Sequence, residues 1–389
     1  MKQEYKYLVM VTRKNNHNRY YKMIPKGNVF EVEYGGAGSP PIKKKYPIKF
    51  FESTYNKKLK SGYVDMTHNH ISGEKSDKFF FKEKEIESLF LELMQYSKQR
   101  LEKNYASPAD VTSTMIENAK AQLSLISGAE SVEDANDMIL DLFRIVPRKM
   151  ANVADHLITD MSEIPNLLFN EYELLDNLSG QVSISSSRKA KEEDFLKSIG
   201  LRARLVTEDK TINQIRSHMT EMSPYFDKAY RIENLKRDKM FYDYMEKNGY
   251  TEKDIHYLYH GSRNANIFSI CKKGLVHHPN AIKTGSMFGA PASYFAPRAK
   301  KSVGYSSLIG ENPWTHERSH RGYLMVFKVL YKNQKDVYRF SHECTRFNAR
   351  NILPHDAVFA HKGKMLFNDE VIVYREAQCT MQYLISLKK

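Results

Sequence analysis

The rhythm of apolar and polar positions changes along the 389-residue chain, and each change marks a different kind of structure. Between residues 20 and 34 apolar side chains alternate with charges: Tyr20-Tyr21-Lys22-Met23-Ile24, then Pro25-Lys26-Gly27-Asn28, then Val29-Phe30-Glu31-Val32-Glu33-Tyr34. Period-two alternation on both sides of a Pro/Gly/Asn turn predicts a half-buried hairpin. It leads into Tyr34-Gly35-Gly36-Ala37-Gly38, a basic stretch with Lys43, Lys44, Lys45 and Lys49, and a short helix expected around Ile48 to Leu59. From residue 83 the period lengthens: Ile86, Leu89, Phe90, Leu93, Met94 and Leu101 recur at helical spacing. Ser107-Pro108-Ala109-Asp110 and Ser131-Val132-Glu133-Asp134 each put a capping serine three residues before an acid, so an all-α bundle is expected over 83–187. The polar, serine-rich run from Gln181 to Lys191 reads as a linker. Beyond it, β-like runs (Leu201 to Val206, Gly322 to Tyr331, Val371 to Tyr374, Gln382 to Leu387) mix with helix signals (Ile212 to Met222, Leu235 to Lys247). The predicted fold class is α+β and multidomain: a small basic β-rich domain over 1–78, the bundle over 83–187 and an α+β domain over 195–389.

Charge sharpens this division. The net +14 splits into +10 over residues 1–82, −10 over 83–187 and +14 over the rest. Basic ends around an acidic middle point to polyanion contacts and to attraction between neighbouring parts, although surface lysines also simply maintain solubility. With 41% hydrophobic and 12% aromatic residues the chain has the composition of folded protein. The apolar run Tyr7 to Val11 ends at Arg13 and Lys14, too short for a signal-peptide core, and no run approaches the roughly 18 residues of a membrane span. A soluble intracellular protein without a membrane partner is expected. Three scattered cysteines, Cys271, Cys344 and Cys379, have no ligand spacing, so neither disulfides nor a structural metal are expected.

The candidate chemistry lies in three strings of the last part: Tyr257-Leu258-Tyr259-His260-Gly261-Ser262-Arg263, Ser293-Tyr294-Phe295-Ala296, and Asn368-Asp369-Glu370-Val371-Ile372-Val373-Tyr374. Each has an ordinary reading when taken alone. His-Gly usually ends a strand, tyrosines in strands are usually core, and an acid before an apolar run is usually an exposed edge residue. Together, and in this order, they resemble the His, Tyr and Glu signature of the poly(ADP-ribose) polymerase branch of the ADP-ribosyltransferases. The longer string His260-Gly261-Ser262-Arg263-Asn264-Ala265-Asn266-Ile267, followed by Lys273-Gly274-Leu275, strengthens the resemblance.

That resemblance implies NAD+ as co-substrate and cleavage of its nicotinamide glycosidic bond through an oxocarbenium-like state, which needs a carboxylate beside the developing charge. It assigns His260, Tyr294 and Glu370 as catalytic. Glu370 would hold the 2′-hydroxyl of the nicotinamide ribose and help to activate an acceptor hydroxyl. His260 would bond the adenosine ribose, with Ser262 in the same donor-binding set. Gly261 would let the backbone approach the nicotinamide amide, Tyr294 would pack on the nicotinamide side, and Ser302 and Tyr305 would bond the carboxamide and stack on the ring. Two departures stand out: Val276, followed by His277 and His278, replaces the family's Arg on the adenosine side, and Gly289-Ala290-Pro291-Ala292-Ser293 replaces a shorter glycine turn.

The N-terminal order is similar to the WGR domain of the DNA-dependent polymerases, with Tyr34 and Gly36 in place of the family's Trp and Arg. Tyr34, Lys43, Lys44 and Lys45 are the implied DNA contacts. Leu142-Phe143-Arg144-Ile145-Val146-Pro147 and Leu174-Leu175-Asp176-Asn177-Leu178 resemble the family's helical regulatory domain. The implied protein is an ADP-ribosyltransferase activated by DNA breaks that modifies protein acceptors, itself included, and elongates chains. By analogy it would be nuclear in a eukaryote and cytoplasmic or nucleoid-associated in a bacterium. Two alternatives remain open at this level: a mono-ADP-ribosyltransferase independent of DNA, and a non-enzymatic DNA-binding scaffold with a degenerate NAD pocket.

Overall fold

The computed structural model describes residues 4–67, 80–106, 111–185, 194–278, 281, 287–310, 318–364 and 366–389. They form two compact units, one from residues 1–75 and 98–186, the other from 76–97 and 187–389.

The first unit starts with strands β1 (Lys6–Thr12), β2 (His17–Lys26), β3 (Val29–Gly36) and β4 (Ile42–Pro47), helix α1 (Phe51–Lys60) and the short β5 (Val64–Asp65). The sheet order is β4-β3-β2-β1-β5, antiparallel throughout. The expected hairpin is β2–β3, turning at Gly27 with a positive φ of 61° and pairing Tyr21 with Tyr34. Its inward side chains Tyr21, Met23, Phe30 and Val32 close on Leu8 and on Phe51 of α1. The run Tyr7 to Val11 does not alternate because β1 is an interior strand, where both faces are covered and consecutive residues are buried. The basic stretch 42–47 is itself a strand.

Helix α2 (Lys84–Asn104) crosses the boundary between the units in sequence. In the first unit it is followed by α3 (Ser113–Ile126), α4 (Val132–Ile145) and α5 (Ile164–Ser185). Ser131 caps α4 as its spacing predicts, accepting from Asp134 N at 3.1 Å. The cap expected at Ser107 lies outside the described residues; α3 starts instead behind Thr112, whose hydroxyl accepts from Met115 N at 3.1 Å. The expected linker is also partly replaced. Helix α5 continues through Gln181 to Ser185, since extending an existing helix gains one hydrogen bond per residue, while 186–191 lie outside the described residues.

The second unit contains α6 (Phe195–Ser198), β6 (Leu201–Leu205), α7 (Asp209–Met219), β7 (Phe226–Asn234), α8 (Leu235–Lys247), β8 (Ile255–Gly261), α9 (Asn264–Lys273), β9 (Ser293–Phe295), α10 (Ala299–Val303), β10 (Arg321–Leu330), β11 (Gln334–Val337), β12 (Ala357–Ala360), β13 (Glu370–Val373) and β14 (Cys379–Lys388). They make two sheets, β6-β7-β14-β10-β8 and β11-β12-β13-β9. The long strands β10 and β14, almost wholly buried, form the middle of the first sheet. The sheets meet where Tyr259 and Ala296 exchange two backbone hydrogen bonds of 2.9 Å. That clip brings the end of β8 beside the end of β9. Among the described residues no helix is long and apolar enough to cross a membrane.

Candidate active site

β8 delivers His260 and Gly261 to its last two positions, held in register by Met325 and Leu324 of β10. The His260 ring lies edge-on to Phe295 and Phe327, with centroids 5.9 and 6.0 Å away. Its Nδ1 donates to the Tyr294 carbonyl at 2.8 Å, across the sheet junction. Ser262 begins the turn into α9, and its hydroxyl accepts from Asn266 Nδ2 at 3.0 Å.

Gly261 is required by the protein itself. A Cβ there would stand 1.7 Å from the Ser302 carbonyl oxygen and 2.6 Å from its carbon, so α10 can rest on β8 only over a glycine. The sequence reading gave the same residue to a ligand approach; the contact made in this structure is with α10. Ser302 is buried at 4% exposure, and its carbonyl also accepts from Tyr305 N at 3.1 Å. Burial, and then the nearby Glu370 charge, raise the Tyr305 phenol above its usual range.

Tyr294 sits on β9, paired with Ile372 of β13. Its hydroxyl donates to the Gly289 carbonyl at 2.7 Å and accepts from Phe288 N at 3.1 Å. The hydroxyl therefore fixes the 289–293 turn that leads into β9. Gly289 adopts a φ of +84°, and a Cβ there would meet the Phe347 carbonyl at 1.9 Å.

Glu370 opens β13 opposite Ala360 and is only 7% exposed. Position in the sheet, not its chemistry, removes it from water: the apolar Val371-Ile372-Val373 that follows is fully buried. One carboxylate oxygen is bound by Lys301 Nζ, projecting from α10. The other, Oε2, is buried and has no hydrogen-bond partner among the described residues. Native proteins rarely leave a buried carboxylate oxygen unpaired, because its desolvation then goes uncompensated. Burial lifts the Glu370 carboxyl above its ordinary range while Lys301 pulls it back, and burial lowers the Lys301 ammonium while Glu370 opposes that.

Lys301 had no assigned role in the sequence, although it directly precedes Ser302; a cation among residues implied to hold a ring and an amide was the available signal. Its removal has a definite sign. In Lys301→Met the two lowering influences on Glu370 vanish and the raising one, burial, remains. Where activity needs the ionised carboxylate, the acid limb of the pH–rate profile moves to higher pH than in the wild type. An unmoved acid limb contradicts this coupling.

A second polar group lies around His277, which the sequence singled out beside Val276 without giving it a role. His277 N donates to Glu376 Oε1 at 2.7 Å, and Arg237 Nη1 binds the other Glu376 oxygen at 2.7 Å. Burial brings the His277 imidazole down to about 4, so the ring is neutral near neutrality.

Tyr34, Lys43, Lys44 and Lys45 belong to the first unit, on β3 and β4, and Glu370 belongs to the second. Tyr34 packs on Tyr21 with ring centroids 5.5 Å apart. Lys43 pairs with Glu33 at 2.7 Å and Lys45 with Glu31 at 3.0 Å. Bonds from Lys26 and Lys45 hold the Glu31 carboxyl down to about 2. Lys44 alternates to the other side and is exposed.

Residues 207–342 match the family described as "Poly(ADP-ribose) polymerase catalytic domain". The matched segment holds His260, Tyr294, Ser302 and Tyr305 and stops before Glu370. The chain is also 29% identical over 194 residues to "Uncharacterized protein 101L" of Invertebrate iridescent virus 6, covering 49% of this chain and 82% of that protein. The domain match supports an ADP-ribosyltransferase enzyme, and domains of this kind use NAD+ as substrate.

Proposed function

We propose that the chain transfers ADP-ribose from NAD+ to an acceptor with release of nicotinamide, and that Glu370 is the carboxylate on which the transfer depends. The observation that carries this reading is the state of that carboxylate: buried, held through one oxygen by Lys301, and presenting an orphaned second oxygen. A ligand hydroxyl satisfies such an oxygen. In the reaction the bond from the ribose anomeric carbon to the pyridinium nitrogen breaks, and nicotinamide leaves with the electron pair. The oxocarbenium left behind is stabilised by the Glu370 charge, which is worth far more in a desolvated site than in water. The acceptor oxygen then bonds to the anomeric carbon, and its proton passes to the carboxylate. His260, through its fixed ring, Ser262, Ser302 and Tyr305 would hold the donor.

The finer reading is a break-activated poly(ADP-ribose) polymerase, with a WGR-like domain over 1–78, a helical regulatory domain over 83–187 and a catalytic domain over 195–389. The exposed Lys44 and the net charge of +10 over residues 1–82 support phosphate contacts. The ion pairs of Lys43 and Lys45 with Glu33 and Glu31 must open or be shared for those lysines to join. The test is nicotinamide release with and without nicked duplex DNA, with the automodified product resolved on a gel. Stimulation by DNA, weakening steeply as salt rises, and ladders of long chains support the finer reading. Equal turnover without DNA removes the sensor, and single additions replace the polymerase with a mono-transferase.

A further inference from the structure

Four side chains from four different places in the chain meet beside the proposed NAD site in one polar strut. Arg237, on α8, ion-pairs through Nη1 with Glu376 Oε2 at 2.7 Å. It also finishes α9: its Nε donates to the Lys273 carbonyl and its Nη2 to the Leu275 carbonyl at 3.4 Å. The free edge of α9 is filled to the limit, since a Cβ on Gly274, at φ +73°, would lie 2.6 Å from Arg237 Nε. Glu376 passes the connection on by accepting the His277 N–H at 2.7 Å. His277 Nε2 then meets the Ser293 hydroxyl at 2.9 Å. Ser293 opens β9, and the next carbonyl, that of Tyr294, accepts from His260 Nδ1 at 2.8 Å.

The end of this chain of contacts determines its meaning. A carbonyl oxygen cannot donate, so the bond to Tyr294 places the His260 proton on Nδ1 and sets the ring's orientation. The position of that carbonyl depends on β9, a strand of three residues at the end of its sheet, paired with β13 on one side only. Such a strand needs further anchors to hold a fixed position. The Tyr259–Ala296 clip supplies one at its far end, the Tyr294 hydroxyl ties its middle to the preceding turn, and the His277–Ser293 contact supplies another at its start. The Arg237–Glu376 pair, with its glutamate half-buried, is weak evidence for stability, because desolvation offsets much of its attraction; what it provides here is a fixed backbone position for His277. Among the described residues, the charged or titratable groups around His277 besides Glu376 and Arg237 include its neighbour His278 and, across Ser293 on β14, the Cys379 thiol, which burial keeps protonated.

We propose that His277 is a positioning residue: through Ser293 it fixes the start of β9, and so holds the Tyr294 carbonyl that orients His260 for donor binding. The functional half of this statement rests on the reading of the site as an NAD site. The structural half does not.

The test uses the full chain with Ser293→Ala, His277→Ala and Ser293→Thr, and His260→Gln to assign the His260 signals. Nitrogen-15 NMR reads the His260 tautomer, and nicotinamide release reads the kinetics for NAD. Wild type shows one tautomer with the proton on Nδ1. Ser293→Ala and His277→Ala show a mixture of tautomers, a KM for NAD raised about tenfold and a kcat within about threefold, as expected when a binding group is loosened without touching the reacting atoms. Ser293→Thr, which keeps the hydroxyl, restores both. If His277→Ala fails to fold, Ser293→Ala, which loses a single oxygen, decides. A folded Ser293→Ala with the wild-type tautomer overturns the strut whatever the kinetics. A wild type that releases no nicotinamide sinks the NAD reading, and the tautomer measurement then still decides on the strut.

Discussion

Glu370→Gln lowers kcat for nicotinamide release by on the order of a hundred- to a thousandfold, with the KM for NAD changed by no more than about threefold. Losing one preorganised electrostatic partner of a transition state typically has this size. The amide fills the same volume and still accepts a hydrogen bond from the ribose hydroxyl, so ground-state binding survives. It carries no charge to oppose the oxocarbenium and cannot take the acceptor's proton. The variant also leaves Lys301 buried without its counter-charge, a situation that the lysine relieves by releasing its proton, the direction in which burial already pulls it. Steady-state kinetics on both forms check this. A kcat within about tenfold of wild type means that the orphaned oxygen has a structural purpose and that another group carries the chemistry.

Gly261→Ala has the second largest effect, and it acts on structure and activity together. The new methyl group lies 1.7 Å from a backbone oxygen, so no side-chain rotation relieves it and α10 must move away from β8. Overpacking against backbone is expected to cost about 3 kcal/mol, lowering Tm by roughly 6–12 °C. Because α10 carries Lys301 and Ser302, the same movement pulls the lysine from Glu370 and abolishes turnover. Gly128→Ala is the matched control: its nearest neighbour is the Leu125 carbonyl at 3.6 Å, an ordinary contact, and its stability stays within about 1 kcal/mol of wild type. Thermal unfolding of the two variants, measured side by side, checks both. A Gly261→Ala protein as stable as the control contradicts the packing of α10 on β8.

The residues show why some of this was readable in the sequence and some was not. Helix α8 spans Leu235–Lys247, the range its apolar spacing marks, because Asn234 caps it with a side-chain bond to Arg237 N at 3.1 Å and Gly249 follows its end with a positive φ. Strands β10 and β14 were legible because they are long and strongly apolar. Strands β9, β11 and β12 were not: with three or four residues each they have too few positions to display a period, so the split into two sheets left no trace in the pattern. The strand character of β4 was hidden by its lysines, which an edge strand tolerates because one side faces water.

The site divides in the same way. Glu370, His260 and Tyr294 stand out as residue types within recognisable strings. Their surroundings are made by contacts distant in sequence: Lys301 reaches Glu370 across 69 positions, and His277 reaches Glu376 across 99. No local rule predicts such partners. The burial that leaves Glu370 Oε2 without a hydrogen bond is likewise a property of the folded sheet.

Transfer of ADP-ribose is read directly by incubating the purified chain with NAD labelled separately in its nicotinamide and adenosine halves. The nicotinamide released is then compared with the ADP-ribose that becomes covalently bound to protein. Release matched by covalent incorporation, with both lost in Glu370→Gln, is the result expected of a transferase that depends on Glu370. No release under any condition, or release yielding only free ADP-ribose, contradicts it.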